Sequence, residues 1–338
     1  MKNLETKSNK VSLKEIARLS GVSIATVSRV INNTGRFSEE TKHRVLNIVK
    51  KNNYRTNTLA RSLRTKHSNS IGILVPDLTN DFFSKVVQEI EKNLFKVGYS
   101  TIICDTQRDP DMENYYLNTL EAKSIDALIV ISGDHPFDSD SLTEKVPVLC
   151  IDRKPKNKDT IFISSNHKTG ALIATQRLID KGYFPVYVSP DHVSTSRASR
   201  ISGFKHALEL NSIQFTQSNS LELKAPNQES YDKTIEEFLQ KNKDKRLGLF
   251  CLSDYIAAIA IRQIHKLNLK IPNEIGVIGF DDTKYASLLN PSLTTIHQDT
   301  SKIAELSAKT ITKMISSPST DVKKNIEVPV TLVARESA

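Results

Sequence analysis

Acidic residues stand at the ends of four apolar runs in this 338-residue chain, where their side chains could bind a polar ligand. They are Asp77, Asp105, the pair Asp152-Arg153 and the pair Asp281-Asp282. Carboxylates accept hydrogen bonds from sugar hydroxyls, a guanidinium donates them, and the rings of Phe82 and Phe83 can stack on a sugar face. A single acid of this kind is more often a helix cap or a turn residue, so only the whole set indicates a ligand site.

Sequence patterns typical of catalysis are missing. The chain has no Gly-x-x-x-x-Gly-Lys-Ser/Thr loop, no Gly-x-Gly-x-x-Gly after its first strand and no Gly-x-Ser-x-Gly elbow. Its histidines show no His-x-x-x-His spacing and its cysteines no Cys-x-x-Cys spacing for a metal. His297 adjoins Gln298, but such a histidine more often packs or hydrogen-bonds. We therefore expect no enzymatic activity, no cofactor and no metal.

The first fifty residues carry the pattern of a helix-turn-helix. Residues 13–20 place apolar or small side chains at i, i+3, i+4 and i+7, and Gly21 supplies the positive φ at which such a helix ends. Ser23 can cap a second helix with an apolar inner face, and Ser38 can cap a third. A small helical hairpin with an ordinary polar face is the alternative, because the pattern alone is only moderately specific.

Positive charge is concentrated in the same segment. Residues 1–68 hold 15 Lys and Arg against four Glu and no Asp, a charge of +11, whereas the whole chain carries +9. This excess indicates nucleic acid as the partner, because phosphate neutralisation dominates such binding. An anionic membrane is the alternative, but no strongly amphipathic helix accompanies the charge.

Other features predict a cytoplasmic protein at the nucleoid. The N-terminus has no apolar signal region, and no run approaches the ~20 apolar residues of a membrane helix. Three widely separated cysteines, Cys104, Cys150 and Cys251, lie in apolar runs and are expected in the core rather than in disulfides.

From residue 70 onward, apolar strands alternate with amphipathic helices, in two consecutive series. Fully apolar strands that alternate with helices predict parallel sheets covered on both faces. The expected fold is therefore a three-helix headpiece followed by an α/β core of two doubly wound parallel-sheet lobes. Ligands of such lobes bind beyond the carboxyl ends of the strands. A single terminal strand is predicted over residues 325–333.

The chain resembles the lac repressor/galactose repressor (LacI/GalR) family over residues 11–338. The matching segments of the N-terminal part are residues 11–17, 21–32 and 60–64. Those of the remainder are residues 71–73, 203–204, 276–282 and 291–296. The resemblance implies a dimeric repressor with a headpiece, a hinge helix and a core like periplasmic sugar-binding proteins.

The resemblance assigns DNA contacts to the turn, the second helix and the linker. Ile24 and Ala25 match the start of the recognition helix, Arg29 a later phosphate- or base-contacting position, and Leu63 the hinge leucine that enters the minor groove. The DNA-binding candidates are Ser23, Ile24, Ala25, Thr26, Ser28, Arg29, Asn32, Asn57, Ala60, Arg61, Leu63 and Arg64. A flexible tether is the alternative for the linker.

The same resemblance assigns the effector pocket. Its candidates are Asn80, Phe82, Phe83, Asp152, Arg153, Arg200, Ser253, Asp281 and Gln298. The set is similar to ribose-type sites, which implies a small sugar, with ribose as the leading pentose. Ser253 and Asp81 depart from the family pattern, in which Asn and Pro are common at these places. A non-sugar corepressor such as a purine, or a partner phosphoprotein, is the alternative effector.

The resemblance also sets the expected domains: a mobile tail over 1–10, a DNA-binding domain over 11–56, a hinge helix over 57–68 and a core over 69–338. Within the core, lobe 1 is expected at about 69–163 and 296–320, and lobe 2 at about 164–290 and 322–338. The expected partners are a pseudo-palindromic operator DNA, a small effector and a second copy of the chain, without membrane contact. A sugar-binding transport component is a rival interpretation, which the basic N-terminal segment argues against.

Overall fold

The computed structural model describes residues 11–54, 67–143, 145–224, 227–317 and 323–338. They form two compact units that divide after Ser68. The predicted hinge helix over 57–68 lies almost wholly outside the described residues.

The first unit contains three short helices, as the sequence predicts. They are α1 (Leu13–Ser20), α2 (Ile24–Asn32) and α3 (Glu39–Lys51). Gly21 ends α1 with a φ of 66°, and Ser23 caps α2 by accepting a hydrogen bond from the Thr26 amide. Its core consists of Ile16, Ala17, Val27, Val30 and Val45, of which Ile16, Val27 and Val45 are fully buried. The helix-turn-helix geometry is thereby confirmed.

The first lobe of the second unit is a parallel sheet flanked by helices. Its described strands are β1 (Ser70–Val75), β2 (Ser100–Asp105), β3 (Ala127–Ile131), β4 (Val148–Ile151), β5 (Ile161–Ser165) and β11 (Asn325–Val328). They are ordered β11-β5-β4-β3-β1-β2. The helices of this lobe are α4 (Asp81–Lys96), α5 (Pro110–Ala122) and α10 (Thr300–Ser316).

The second lobe repeats this architecture. Its described strands are β6 (Phe184–Pro190), β7 (Ser220–Leu223), β8 (Leu247–Cys251), β9 (Ile275–Asp281), β10 (Thr294–Gln298) and β12 (Val330–Val333). They are ordered β12-β10-β9-β8-β6-β7, and β12 is antiparallel to β10. The helices are α6 (His167–Asp180), α7 (Thr195–Leu210), α8 (Gln228–Lys241) and α9 (Asp254–Lys266).

Both sheets are buried between layers of helices, in agreement with the predicted fold class. Every residue of β3, β4, β8 and β9 is buried, which explains why these strands read as uninterrupted apolar runs. The three cysteines are also buried, as expected. Strand order reverses between β1 and β3 in the first lobe and between β6 and β8 in the second. Ligands bind at such reversals, beyond the carboxyl ends of the strands.

The predicted lobe boundaries need correction near the C-terminus. The single strand predicted over 325–333 is two strands in different sheets, with Pro329 between them. Residues 325–328 therefore belong to the first lobe rather than the second. Residues 294–298 form β10 of the second sheet, although residues from 296 onward are predicted in lobe 1.

The sequence pattern hides β10 because most of its residues are polar. Thr294 and Thr295 are nevertheless fully buried. The Thr294 hydroxyl donates to the carbonyl of Arg335, and its amide donates to the Ser337 hydroxyl at 2.8 Å. The C-terminal residues thus provide hydrogen-bond partners for the buried polar groups of β10. The strand lacks the alternation of apolar residues by which strands are recognised in a sequence. No helix among the described residues is long and apolar enough to cross a membrane.

Candidate functional site

A cavity of about 230 Å³ lies in the first lobe where strand order reverses. Its walls are the carboxyl ends of β1 and β3, the N-terminal turn of α5 and the segment after β3. The charged residues that line it are Arg108, Asp109, Glu113, Asp134, Asp138 and Arg153. Arg108 donates to Asp134 at 2.8 Å. A crevice with several charged side chains on a partly apolar lining suits a small hydroxylated ligand at this position.

Arg153, a predicted site residue, is held inside this cavity. Its NH1 and NH2 groups donate to the two carboxylate oxygens of Glu113 at 2.7 and 3.0 Å, and its Nε donates to the His135 carbonyl at 2.8 Å. The guanidinium also lies 5.2 Å from the centroid of the Phe137 ring. Such a bidentate pair fixes both the position and the charge of Arg153.

A second group of polar residues joins the two lobes. Asp152, at the end of β4, accepts from Nε2 of His167 at 2.7 Å, and His167 is the first residue of α6. Nδ1 of His167 accepts from Nε of Arg200 at 3.4 Å. Because a guanidinium only donates, Nδ1 must be the acceptor, and the ring proton therefore sits on Nε2. All three side chains are buried.

Arg200 continues this network to Asp281 and Gln298 at the ends of β9 and β10. NH2 of Arg200 donates to Asp281 Oδ1 at 3.4 Å, and Nε2 of Gln298 donates to the same oxygen at 2.7 Å. NH1 of Arg200 donates to the carbonyl of Leu252, and its guanidinium lies 3.7 Å from the centroid of the Phe280 ring. We call the chain Asp152–His167–Arg200–Asp281–Gln298 the interlobe network. It brings together four of the nine predicted pocket residues.

Charge in the interlobe network is only partly compensated. Burial raises the pKa of Asp281 to about 8, and Asp254 and Asp152 add to the rise, while Arg200 and Gln298 oppose it. Gln298 Oε1 and Ser165 Oγ are buried without a hydrogen-bond partner among the described residues. Both atoms can accept a hydrogen bond from a ligand hydroxyl.

Asp254 supports the network, although no sequence pattern singles it out. Its Oδ1 accepts from the Thr295 hydroxyl at 2.5 Å, and its Oδ2 accepts from the Thr283 amide at 2.7 Å. Burial raises its pKa to about 6. A Cβ on Gly279 would lie 2.3 Å from Asp254 Oδ1, so only glycine fits there. These contacts fix the turn that presents Asp281.

The predicted residues at the start of α4 have mixed roles. Asn80 Oδ1 accepts from the amides of Phe82 and Phe83 and so caps the helix. Phe82 is buried in the core of the first lobe, whereas Phe83 is half-buried and meets Phe82 edge to face. Lys284 of the second lobe lies 3.1 Å from Asp81. That ion pair brings the start of α4 beside the turn that follows β9.

Two further acids of the sequence pattern, Asp77 and Asp105, serve the backbone. Asp77 accepts from the amide and hydroxyl of Thr79, and Asp105 accepts from the Gln107 amide, both as turn residues. Ser253 caps α9 by accepting from the Ile256 amide at 3.3 Å. Their side chains therefore already have hydrogen-bond partners. They act as turn or cap residues, which is the alternative to a ligand site that the sequence leaves open.

The lobes also meet at His192, in the segment after β6. Burial, with repulsion from Arg108, lowers the pKa of His192 to about 4, so its ring is neutral at pH 7. Beside it, the Lys154 amide donates to the Thr195 hydroxyl at 3.1 Å. No group of His, Cys, Asp or Glu side chains in the described part of the chain could hold a metal ion.

The headpiece presents most of its predicted DNA-binding side chains to solvent. Ile24 is 46% exposed, and Ser23, Ala25 and Arg29 are exposed as well. Thr26, Ser28 and Asn32 are half-buried; Asn32 donates to the Ser28 carbonyl at 2.7 Å. The exposed side chains lie at the N-terminus and one side of α2, as a recognition helix requires. The candidates Asn57, Ala60, Arg61, Leu63 and Arg64 lie outside the described residues.

Two family profiles match this chain. The profile of bacterial regulatory proteins of the lacI family matches residues 12–57, and that of a periplasmic binding protein-like domain matches residues 161–338. The chain belongs to the LacI family. The HTH-type transcriptional repressor PurR of Mannheimia succiniciproducens is 30% identical over 96% of this chain and 98% of its own length. The ribose operon repressor of Halalkalibacterium halodurans is 29% identical over 96% of each chain.

Solved LacI-family structures share this fold over all or most of the chain. The lac repressor dimer bound to operator and the anti-inducer ONPF superimposes with a TM-score of 0.85 at 26% identity, covering 97% of this chain and 99% of its own. A LacI-family regulator from Enterococcus faecium with bound ribose has a TM-score of 0.70 at 27% identity, covering 79% and 98%. The chain is thus a DNA-binding transcriptional repressor regulated by a small-molecule effector, and the repressors of its family act as dimers on operator DNA.

Proposed function

We propose that this repressor senses a small sugar, a pentose such as ribose, in the crevice between its two lobes. The interlobe network carries this proposal, because it aligns buried donors and acceptors of both signs at the strand ends of both lobes. Cyclic sugars offer hydroxyls that both donate and accept, which matches such a lining. The first-lobe cavity, which is lined by Arg153 next to Asp152 of the network, has a volume of about 230 Å³, smaller than the ~300–1,000 Å³ of pockets for drug-sized ligands, which favours a monosaccharide.

The network has the two kinds of partner that a sugar requires. Asp281 and the Gln298 carbonyl accept hydrogen bonds, and Arg200 donates them. In this structure Arg200 and the amide nitrogen of Gln298 donate to Asp281, so a ligand would exchange those hydrogen bonds for its own, whereas the Gln298 carbonyl has no partner among the described residues. The ribose-bound LacI-family regulator from Enterococcus faecium supports a pentose in a core of this fold.

A purine is the second candidate, since repressors named PurR are among the relatives. Flat bases are held in part by stacking on aromatic faces. Here Arg200 covers the face of Phe280, and the Arg153 guanidinium lies over Phe137. These contacts leave both rings occupied, which favours the sugar.

The sugar would act on the operator through closure of the lobes. Two recognition helices of a dimer lie in successive major grooves of a pseudo-palindrome, and Leu63 of each linker enters the minor groove at its centre. A ligand that binds one lobe arrangement more tightly shifts the population toward it and changes operator affinity by the same free energy.

Calorimetry of the full chain with ribose, xylose, arabinose, glucose and hypoxanthine tests the choice of ligand. We expect saturable binding of one pentose and none of hypoxanthine. Arg200→Gln and Asp281→Asn should weaken that binding at least about tenfold, because each leaves a buried polar ligand group unpaired. Hypoxanthine as the only ligand would contradict the sugar proposal.

A further inference from the structure

Glu113 was not among the predicted site residues, yet it occupies a decisive place in the first-lobe cavity. It lies in the first turn of α5, its side chain is 22% exposed, and both of its carboxylate oxygens accept from Arg153. The Arg153 side chain is 8% exposed. The two charges therefore face each other in a partly closed space, where they interact more strongly than at the surface.

Arg153 has little freedom to leave this position. Its Nε is bound to the His135 carbonyl, and a Cβ on Gly133 would lie 2.8 Å from its Cζ and Nε atoms. Gly133 has a φ of 143°, so the backbone itself makes room for the guanidinium. The local charge that a ligand meets beside Arg153 is consequently set by Glu113 rather than by movement of the arginine.

The remainder of the lining also disfavours an anion. The cavity is lined by two arginines and four carboxylates, and Arg108 is paired with Asp134. His192, which faces Arg108 from the second lobe, is neutral at pH 7. Each guanidinium that lines the cavity thus already has a carboxylate partner, and a phosphate would have to compete with it.

We propose that Glu113 is the residue that makes this site specific for an uncharged sugar. The Glu113 carboxylate neutralises the charge of the Arg153 guanidinium. The arginine can then donate hydrogen bonds to sugar hydroxyls without attracting a phosphate. A phosphorylated sugar placed here would meet the Glu113 carboxylate, and like charges in contact are strongly unfavourable. The inference rests on the proposed function, because it assumes that the cavity is part of the sugar site.

Calorimetry of the full chain tests this proposal with three probes: D-ribose, D-ribose 5-phosphate and inorganic phosphate. The parent should bind ribose at least about tenfold more tightly than ribose 5-phosphate and should not bind phosphate measurably. Glu113→Gln should keep the shape of the side chain but release the charge of Arg153. The Glu113→Gln protein should then bind inorganic phosphate. Its preference for ribose over ribose 5-phosphate should be smaller than that of the parent by about tenfold or more.

Two further variants separate charge from structure. Asp111→Asn makes the same chemical change at an exposed position on the same helix and should behave as the parent. The double variant Glu113→Gln/Arg153→Gln restores neutrality and should lose the phosphate binding again. Glu113→Ala removes the same carboxylate and should gain the same phosphate binding, so it serves as the test where Glu113→Gln fails to fold.

The outcomes are distinguishable from failure of the proposed function. A parent that binds no monosaccharide overturns the proposed function, while phosphate binding gained by Glu113→Gln still supports the role of Glu113. A parent that binds ribose 5-phosphate as tightly as ribose overturns the role of Glu113. So does a folded Glu113→Gln variant whose selectivity equals that of the parent, or a double variant that binds phosphate as the single variant does.

Discussion

Asp152 Oδ1 and His167 Nε2 lie 2.7 Å apart and join the end of β4 in the first lobe to the first residue of α6 in the second. Both side chains are 3% exposed. The bond therefore spans the crossover between the lobes without access to water, and it orients His167 so that its other nitrogen faces Arg200. The relative position of the lobes is thus tied to the same side chains that we assign to the ligand.

Replacing His167 by leucine should loosen this connection. The change removes the donor to Asp152, so we expect a loss of about 1–3 kcal/mol in the free energy of unfolding. Binding of the sugar should weaken as well, because Arg200 loses one of its anchors. Chemical denaturation and calorimetry measure the two effects. His206→Leu, at a half-buried position on α7 outside the network, is the matched control and should change neither.

Asp281 should give the protein a pH-dependent stability. Its pKa is raised from an ordinary 3.8 to about 8, chiefly by burial, so the folded state favours the protonated form. The stabilisation that this provides is complete below pH 3.8 and is lost as the pH rises toward 8. Asp254, with a pKa raised to about 6, adds a loss of the same sign at lower pH.

We therefore expect the melting temperature of the parent to fall between pH 5 and 8 more steeply than that of Asp281→Asn. The surface variant Asp244→Asn should follow the parent across the same range. Parallel curves for the parent and Asp281→Asn would show that Asp281 titrates as it does in an unfolded chain.

Gly203 lies at a close contact between α6 and α7. A Cβ at this position would lie 2.1 Å from the Lys168 carbonyl oxygen and 2.9 Å from the Ala171 Cβ. Gly203→Ala should force the helices apart and destabilise the core by about 1–3 kcal/mol or more. Ser202→Ala, at the exposed neighbouring position, should stay within about 0.5 kcal/mol of the parent. Urea denaturation of both variants provides the comparison.

Arg29 tests the assignment of the recognition surface. If it contacts a phosphate, Arg29→Gln should weaken operator binding uniformly across sequences and reduce the slope of log affinity against log salt by about 0.9. If it contacts a base, the variant should instead lose discrimination between sequences. Arg18→Gln is the control, since Arg18 is already paired with Glu15 on α1 at 2.6 Å. Gel shifts at four salt concentrations supply the slopes, and an unaltered Arg29→Gln would place the contact elsewhere.

The sequence predicts the elements of this fold well because most strands are apolar throughout and most helices begin at a side-chain cap. It misses β10, whose buried threonines are satisfied only by residues some forty positions away. The family resemblance names Arg200, Asp281 and Gln298, whose side chains the structure places in hydrogen-bond contact. The sequence does not reveal Glu113 or His167, because their roles depend on which side chains the fold places opposite them. Phe82 and Asn80 illustrate the opposite case. Both match pocket positions of the family, yet Phe82 packs in the core and Asn80 caps a helix.

The most direct test of the account is the coupling between sugar and operator. An operator selected from random DNA with the full-length protein would be titrated with and without the pentose, and the pentose with and without the operator. Linkage requires both affinities to change by the same factor, which we expect to be about 5–150-fold. Arg200→Gln should bind the operator like the parent and lose this change. A pentose that binds the parent tightly yet leaves its operator affinity unaltered would contradict the account.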